Sequence, residues 1–294
     1  MTDVRTAPAP ARLAGWRAAL LELGLVAGLY LLYRWGRVVA LDREAVALAN
    51  ARAVHDLQQA VGLPSEAVLQ ALVPSVGLLE LANVYYVAVH FPTVVAFLAW
   101  LYLLRPRADY LWARNLLVVQ TGLAAGIHVA FPLAPPRMFA DLGFVDTMSV
   151  HGPSAYDGAS AAVANQYAAM PSLHVGWAVL LAVVVSRCGP RWAARLTGAH
   201  AATTLVVVTV TANHWLLDGA VAVLLLGLAL LAFPGPDRRR PGHLRLSRPT
   251  AATAPARPGS TAGAPAPPPR PAPPGPPGGG PAPACPSRRA GPAR

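Results

Sequence analysis

Five side chains in this sequence are suited by type and spacing to handle a phosphate ester. They are Arg137 in PLAPPRM, Ser172 and His174 in PSLH, and His214 and Asp218 in NHWLLDG. Arginine offers a planar fork of N–H donors that matches phosphate oxygens. Pro171-Ser172-Leu173-His174 opens an apolar run, which predicts a helix N-terminus whose free N–H groups attract an anion, with the serine hydroxyl as a further donor. His214 and Asp218 are four residues apart and share one helix face. A histidine oriented by a carboxylate can act as nucleophile or base, and a second histidine, His174, can protonate a leaving oxygen. The set points to phosphoryl transfer through a phosphohistidine, a scheme that requires no metal and no organic cofactor.

Each piece also has a plainer reading. Ser-x-His at a helix start can be simple capping, and His-x-x-x-Asp on a helix is often a structural hydrogen bond. Ionisable groups gathered at one membrane face are costly and usually functional, so the five together favour a site. Two other classes stay open on residue types alone. One is a metal-dependent hydrolase with His174, His214 and Asp218 as ligands, which leaves Arg137 beside a cation without a role. The other is a transporter or proton relay, which calls for polar groups threaded through the bilayer midplane. His90 and His128, single histidines on apolar spans, read as packed, hydrogen-bonded core residues, with His90 close enough to the outer end of its span to approach the site. His151 and Tyr156 fall in a long loop that could line an entrance.

The elements that must carry these residues are membrane spans. The chain is 54% hydrophobic and 13% charged, with a mean hydropathy of +0.42, too apolar for an ordinary soluble domain. Apolar blocks near the length needed to cross a bilayer run from about Ala18 to Tyr33, Val84 to Leu104, Trp112 to Phe131, Ser172 to Ser186, Leu196 to Thr211 and His214 to Phe233. The first reads as an anchor, because no small-residue cleavage signature follows it. Between the first two spans the chain is too polar to cross, but its apolar residues recur at helical spacing, which predicts amphipathic surface helices. A loop from Pro132 to about Ala169 separates spans three and four. Tyr85, Tyr86, Trp100 and Trp112 sit near span ends, as interface anchors do. The expected fold is all-α: a polytopic membrane protein of about six transmembrane helices.

All 24 basic residues are arginine. Residues 234–294 hold ten of them and 19 of the 31 prolines. This composition predicts a disordered tail, whose arginines could touch anionic headgroups. It lacks the interleaved aromatics and folded module of a nucleic-acid binder. The division is therefore a cytoplasmic N-terminus over 1–17, a six-helix membrane domain over 18–233 and the tail. Six spans put both termini on one side, and 19 of the 24 arginines fall there, which makes that side cytoplasmic. The five candidate residues then face outward across the plasma membrane. Cys188 and Cys285 suggest neither a disulfide framework nor a cysteine metal site.

The motifs resemble the type 2 phosphatidic acid phosphatase superfamily of six-helix membrane phosphatases and phosphotransferases. Pro171-Ser172-Leu173-His174 matches its second motif, and His214 to Asp218 the end of its third. The resemblance implies His214 as nucleophile, Asp218 as its partner, His174 as general acid, Arg137 and Ser172 as phosphate ligands, and a phosphorylated lipid as substrate. PLAPPRM, NQYAAMPSLHVGWA and NHWLLDG are similar more specifically to the branch containing inositol phosphorylceramide synthases and their actinobacterial relatives, which would make the enzyme an inositolphosphotransferase of a bacterial membrane. Two departures stand out. The first motif's lysine, seven residues before its arginine, is Ala130 here, and the third motif's arginine, six residues before its histidine, is Val208. Arg114 is roughly 34 Å from Arg137 along one helix. Arg34 and Arg37, at the outer end of the first span, are the better candidates to complete the cation set.

Overall fold

The computed structural model describes residues 12–156 and 165–236; the tail and the start of the N-terminus read above lie outside the described residues. Helices dominate these segments, and among the described residues no strand forms beyond one isolated bridge between Leu133 and Ala168. The helices are α1 (Arg12–Leu41), α2 (Glu44–Ala60), α3 (Glu66–Ala71), α4 (Val76–Ala88), α5 (His90–Leu104), α6 (Arg107–Ala130), α7 (Thr147–His151), α8 (Leu173–Cys188), α9 (Arg191–Val210) and α10 (Leu216–Ala232). Two short 3₁₀ turns, Pro136–Met138 and Ala140–Leu142, follow α6.

Three stretches are long and apolar enough to cross a membrane: Ala18–Val39, Val76–Leu104 and Arg191–Val210. Helices α8 and α10 are apolar but shorter, and α6 has 24 residues with Arg107, Asp109 and Arg114 near its start. These helices occupy the six expected places, with two differences. Helix α1 continues past Tyr33 to Leu41, so Arg34 and Arg37 lie within it rather than beyond it. The second span starts at Val76, not Val84, and is interrupted at Val89. Pro92 explains the interruption. It has no N–H to give the carbonyl of Ala88, and its ring crowds that carbonyl. The next carbonyl, Val89 O, accepts both the Thr93 N–H at 3.1 Å and the Thr93 hydroxyl at 2.8 Å.

Large apolar side chains on α1, including Leu21, Leu23, Val26 and Leu31, are 64–75% exposed, an extent that fits lipid rather than water. The interior is close-packed. Val94, Phe97 and Leu101 of α5 meet Leu116 of α6, Leu180, Leu181 and Val184 of α8, and Leu226 of α10. Gly176 lets α6 and α10 close on α8. A Cβ there would stand 2.5 Å from Gln120 Nε2 and 3.4 Å from Ala222 Cβ, while Gln120 Nε2 donates to Ala222 O. Helix α1 is tied to α6 by Glu22, 2.8 Å from Arg114 and 3.3 Å from Arg107, so Arg114 is committed far from the other candidate residues.

The expected surface helices form as α2 and α3. Ala47, Ala51, Val54 and Gln58 give α2 one buried face at helical spacing. Its exposed Arg52 reaches Asp141 in the loop after α6 at 2.8 Å, and that hydrogen bond holds the Asp141 carboxyl below the usual carboxylate range.

Candidate active site

The loop after α6, the strand-like segment before α8 and the turn before α10 are stitched into one layer by their main chains. Leu133 N–H donates to Tyr167 O and Ala169 N–H to Leu133 O. Arg137 N–H donates to Ala212 O at 2.8 Å, and Ser172 N–H to Asp218 O at 3.1 Å. The turn before α10 is a Schellman-type ending of α9. Asn213 N–H donates to Val208 O and Ala212 N–H to Thr209 O, with Ala212 at φ +52° in the left-handed region that glycine usually fills. Trp215 locks the turn in place. It is 1% exposed, donates from Nε1 to Ala134 O at 2.9 Å, and packs against Phe139 and Phe144.

These contacts set His214. Its Nδ1 lies 2.9 Å from Ala169 O and 3.4 Å from Asp218 Oδ2. A carbonyl oxygen can only accept, so Nδ1 carries the proton and the Nε2 lone pair is left free. Asp218 is fully buried, and its Oδ2 also accepts the Trp215 N–H at 2.8 Å. Its position at the start of α10 is one that a helix favours for a carboxylate. His214 lies two residues before Leu216, the first residue of α10, so the two side chains do not share a helix face as the spacing predicts; the turn ahead of the helix instead brings Nδ1 to Oδ2.

His174, on the first turn of α8, has its ring centroid 5.7 Å from that of His214. It is stacked on Tyr86 at 4.2 Å and flanked by His90 at 4.7 Å. His90 differs from the reading of a hydrogen-bonded core histidine: it is 2% exposed, and neither ring nitrogen has a hydrogen-bond partner. Its ring stacks instead with His200 at 5.5 Å. His128 does match that reading, donating from Nε2 to Pro171 O at 3.2 Å.

Arg137 is 6% exposed, and its Nε and one terminal nitrogen have no partner. Its guanidinium lies 3.9 Å over the Tyr156 ring, and the Tyr156 hydroxyl donates to Asn213 Oδ1 at 3.1 Å. Leaving a buried donor unpaired costs about 1–3 kcal/mol. Ser172 is fully buried and caps α8 by accepting the Val175 N–H at 3.3 Å.

A cavity of about 610 Å³ opens beside these residues. Its wall includes His174, His214, His128, Tyr33, Tyr86 and Tyr156, with Asn165, Gln166 and Asn213. Arg137 and Ser172 are not among the described residues that line it. Tyr33 of α1 reaches it and accepts the Asn165 N–H at 2.8 Å, but Arg34 and Arg37 are not among the described residues that line it. Among the described residues, no three of His, Cys, Asp and Glu converge as a metal site would require. Tyr33, Tyr86, Asn165 and the Ala169 carbonyl escaped the sequence reading as site groups, because neutral groups on three separate segments carry no spacing pattern. A family model for the PAP2 superfamily matches residues 52–232. No curated protein and no solved structure matches the chain.

Proposed function

Since the chain belongs to the PAP2 superfamily, we propose that it is a membrane lipid phosphatase or phosphotransferase working through a phosphohistidine at His214. The observation that carries this reading is the His214 contact set: Nδ1 is held by Ala169 O and Asp218 Oδ2, so Nε2 is the nucleophile. In the first step the Nε2 lone pair bonds to phosphorus as the phosphorus–oxygen bond to the alcohol breaks, and His174 gives its proton to the departing oxygen. In the second step an acceptor hydroxyl attacks phosphorus, its proton passes to His174, and the phosphorus–nitrogen bond returns its pair to Nε2. Arg137, the Ser172 hydroxyl proton and the α8 N-terminus bind the phosphate oxygens. Arg34 or Arg37 adds charge at the cavity mouth, a role supported by their nearness in sequence to Tyr33.

The acceptor is water in a phosphatase and a polyol hydroxyl in an inositolphosphotransferase. The hydrogen-bonding groups of Tyr33, Asn165 and Gln166 on the wall support a hydroxyl-rich acceptor. The arginine bias supports an outward-facing site, and the lysine-free, arginine-rich composition is the support for a bacterial plasma membrane. The test is to incubate purified protein with a panel of radiolabelled phospholipids, with and without inositol-type acceptors, and to measure acid-labile phosphoprotein, released phosphate and new lipid. An acid-labile label that disappears in His214→Ala is expected. A label or turnover that persists in that variant overturns the mechanism.

A further inference from the structure

The amphipathic helices between the first two spans have a role that their sequence pattern does not announce. The first N–H groups of a helix have no partner within it, and at the start of α10 three successive ones are each taken by a side chain. Trp215 N–H goes to Asp218 Oδ2 at 2.8 Å. Leu216 N–H goes to Glu66 Oε1 at 2.8 Å, and Leu217 N–H to Gln58 Oε1 at 2.9 Å. Gln58 and Glu66 are joined in turn, Gln58 Nε2 donating to Glu66 Oε1 at 2.7 Å. All of this is dry: Gln58, Glu66 and Asp218 are each 0% exposed. Gln58 comes from the last turn of α2 and Glu66 from the first residue of α3, about 150 residues before the helix they hold.

We infer that Gln58 and Glu66 are positioning residues for the His214–Asp218 pair, an inference that rests on the phosphohistidine reading of that pair. Neither borders the reaction cavity, so neither touches substrate. They fix the first turn of α10, and through it Asp218 and the His214 ring two residues before that turn. A carboxylate at a helix N-terminus is also favoured by the helix dipole, which suits Glu66 to a site where a polar group would otherwise be costly to bury. Helices α2 and α3 are therefore part of the catalytic end and not a detached surface feature.

The test compares Glu66→Ala, Glu66→Gln and Gln58→Leu with wild type and His214→Ala, all as purified full-length protein. The measured quantity is kcat per vanadate-binding site, so that unfolded protein does not count, together with KM. Misplacing a reacting group by a fraction of its reach lowers kcat by about tenfold to a hundredfold. The expected result is a kcat loss of that size in Glu66→Ala with KM little changed, and recovery of most of it in Glu66→Gln, which keeps the accepting oxygen. Gln58→Leu is expected to lose kcat to a smaller degree, and it carries the test if Glu66→Ala is not recovered folded. Unchanged kcat per site in Glu66→Ala and Gln58→Leu, or no recovery in Glu66→Gln, overturns the inference. An active His214→Ala would instead overturn the reading beneath it.

Discussion

His214 Nδ1 stands closer to the main-chain carbonyl of Ala169, at 2.9 Å, than to the carboxylate of Asp218, at 3.4 Å. The tautomer that frees Nε2 is thus set by two acceptors, one of which no side-chain substitution removes. Where a carboxylate alone fixes a catalytic histidine, changing it to an amide can cost about 10⁴ in rate by favouring the wrong tautomer. Here the carbonyl keeps the tautomer, and the amide oxygen can still accept the Trp215 N–H. Asp218→Asn is expected to lower kcat by roughly 10²-fold, through loss of charge stabilisation alone. Steady-state assays on a lipid phosphate check this, and a loss as deep as that of His214→Ala would show Asp218 to be the only determinant.

The general-acid role of His174 separates by leaving group. An alkyl alcohol needs a proton as it departs, so His174→Gln is expected to slow a natural lipid ester by about 10²–10⁴-fold. A p-nitrophenyl ester leaves as a stable anion and should lose far less. Equal losses on the two substrates would assign His174 to packing on Tyr86 rather than to proton transfer.

The parts of the fold visible in the sequence were those written locally. Apolar length announced the spans, and the Ser-x-His and His-x-x-x-Asp spacings announced two histidines that the fold brings together, His174 and His214, whose rings lie 5.7 Å apart on the wall of one cavity. Boundaries were missed where local polarity and helix geometry part ways: Pro92 breaks a continuous apolar run at Val89, while Arg34 and Arg37 end the apolar run of α1 without ending the helix. Beyond His174, His214 and Tyr156, the cavity wall was missed because Tyr33, Tyr86 and Asn165 meet only through tertiary packing. The Arg137 guanidinium could be picked out in the sequence, but not the ring of Tyr156 beneath it.

That pairing leads to opposite effects on stability and on binding. Arg137 is a buried cation with unpaired donors, and an uncompensated buried charge is costly to desolvate, a cost that an apolar side chain of similar length removes. Stacking on Tyr156 offsets only about 0.5–2 kcal/mol of this. Arg137→Met is therefore expected to melt at the same temperature as wild type or higher in detergent without ligand. The melting temperature of wild type should rise with vanadate and that of Arg137→Met should not. A surviving vanadate shift would remove Arg137 from the phosphate site.

Ala212 gives the sharpest test of how the turn before α10 is built. A left-handed conformation costs an alanine about 1–2 kcal/mol, and glycine escapes that cost while adding about 0.4–1 kcal/mol of unfolded-state entropy. Ala212→Gly should therefore leave stability within about 1 kcal/mol of wild type, on the stabilising side. It should also keep most activity, because the bonds that place His214 and Arg137 there are main-chain bonds. A valine cannot take the same backbone without strain, and Ala212 is 0% exposed, so its added methyls have no room. Ala212→Val is expected to lose about 2 kcal/mol or more and most activity, because the carbonyl that accepts the Arg137 N–H moves with the turn. Denaturant unfolding in mild detergent and lipid phosphate turnover measure the two effects, and similar behaviour of the glycine and valine variants would show that the left-handed residue is not what sets the turn.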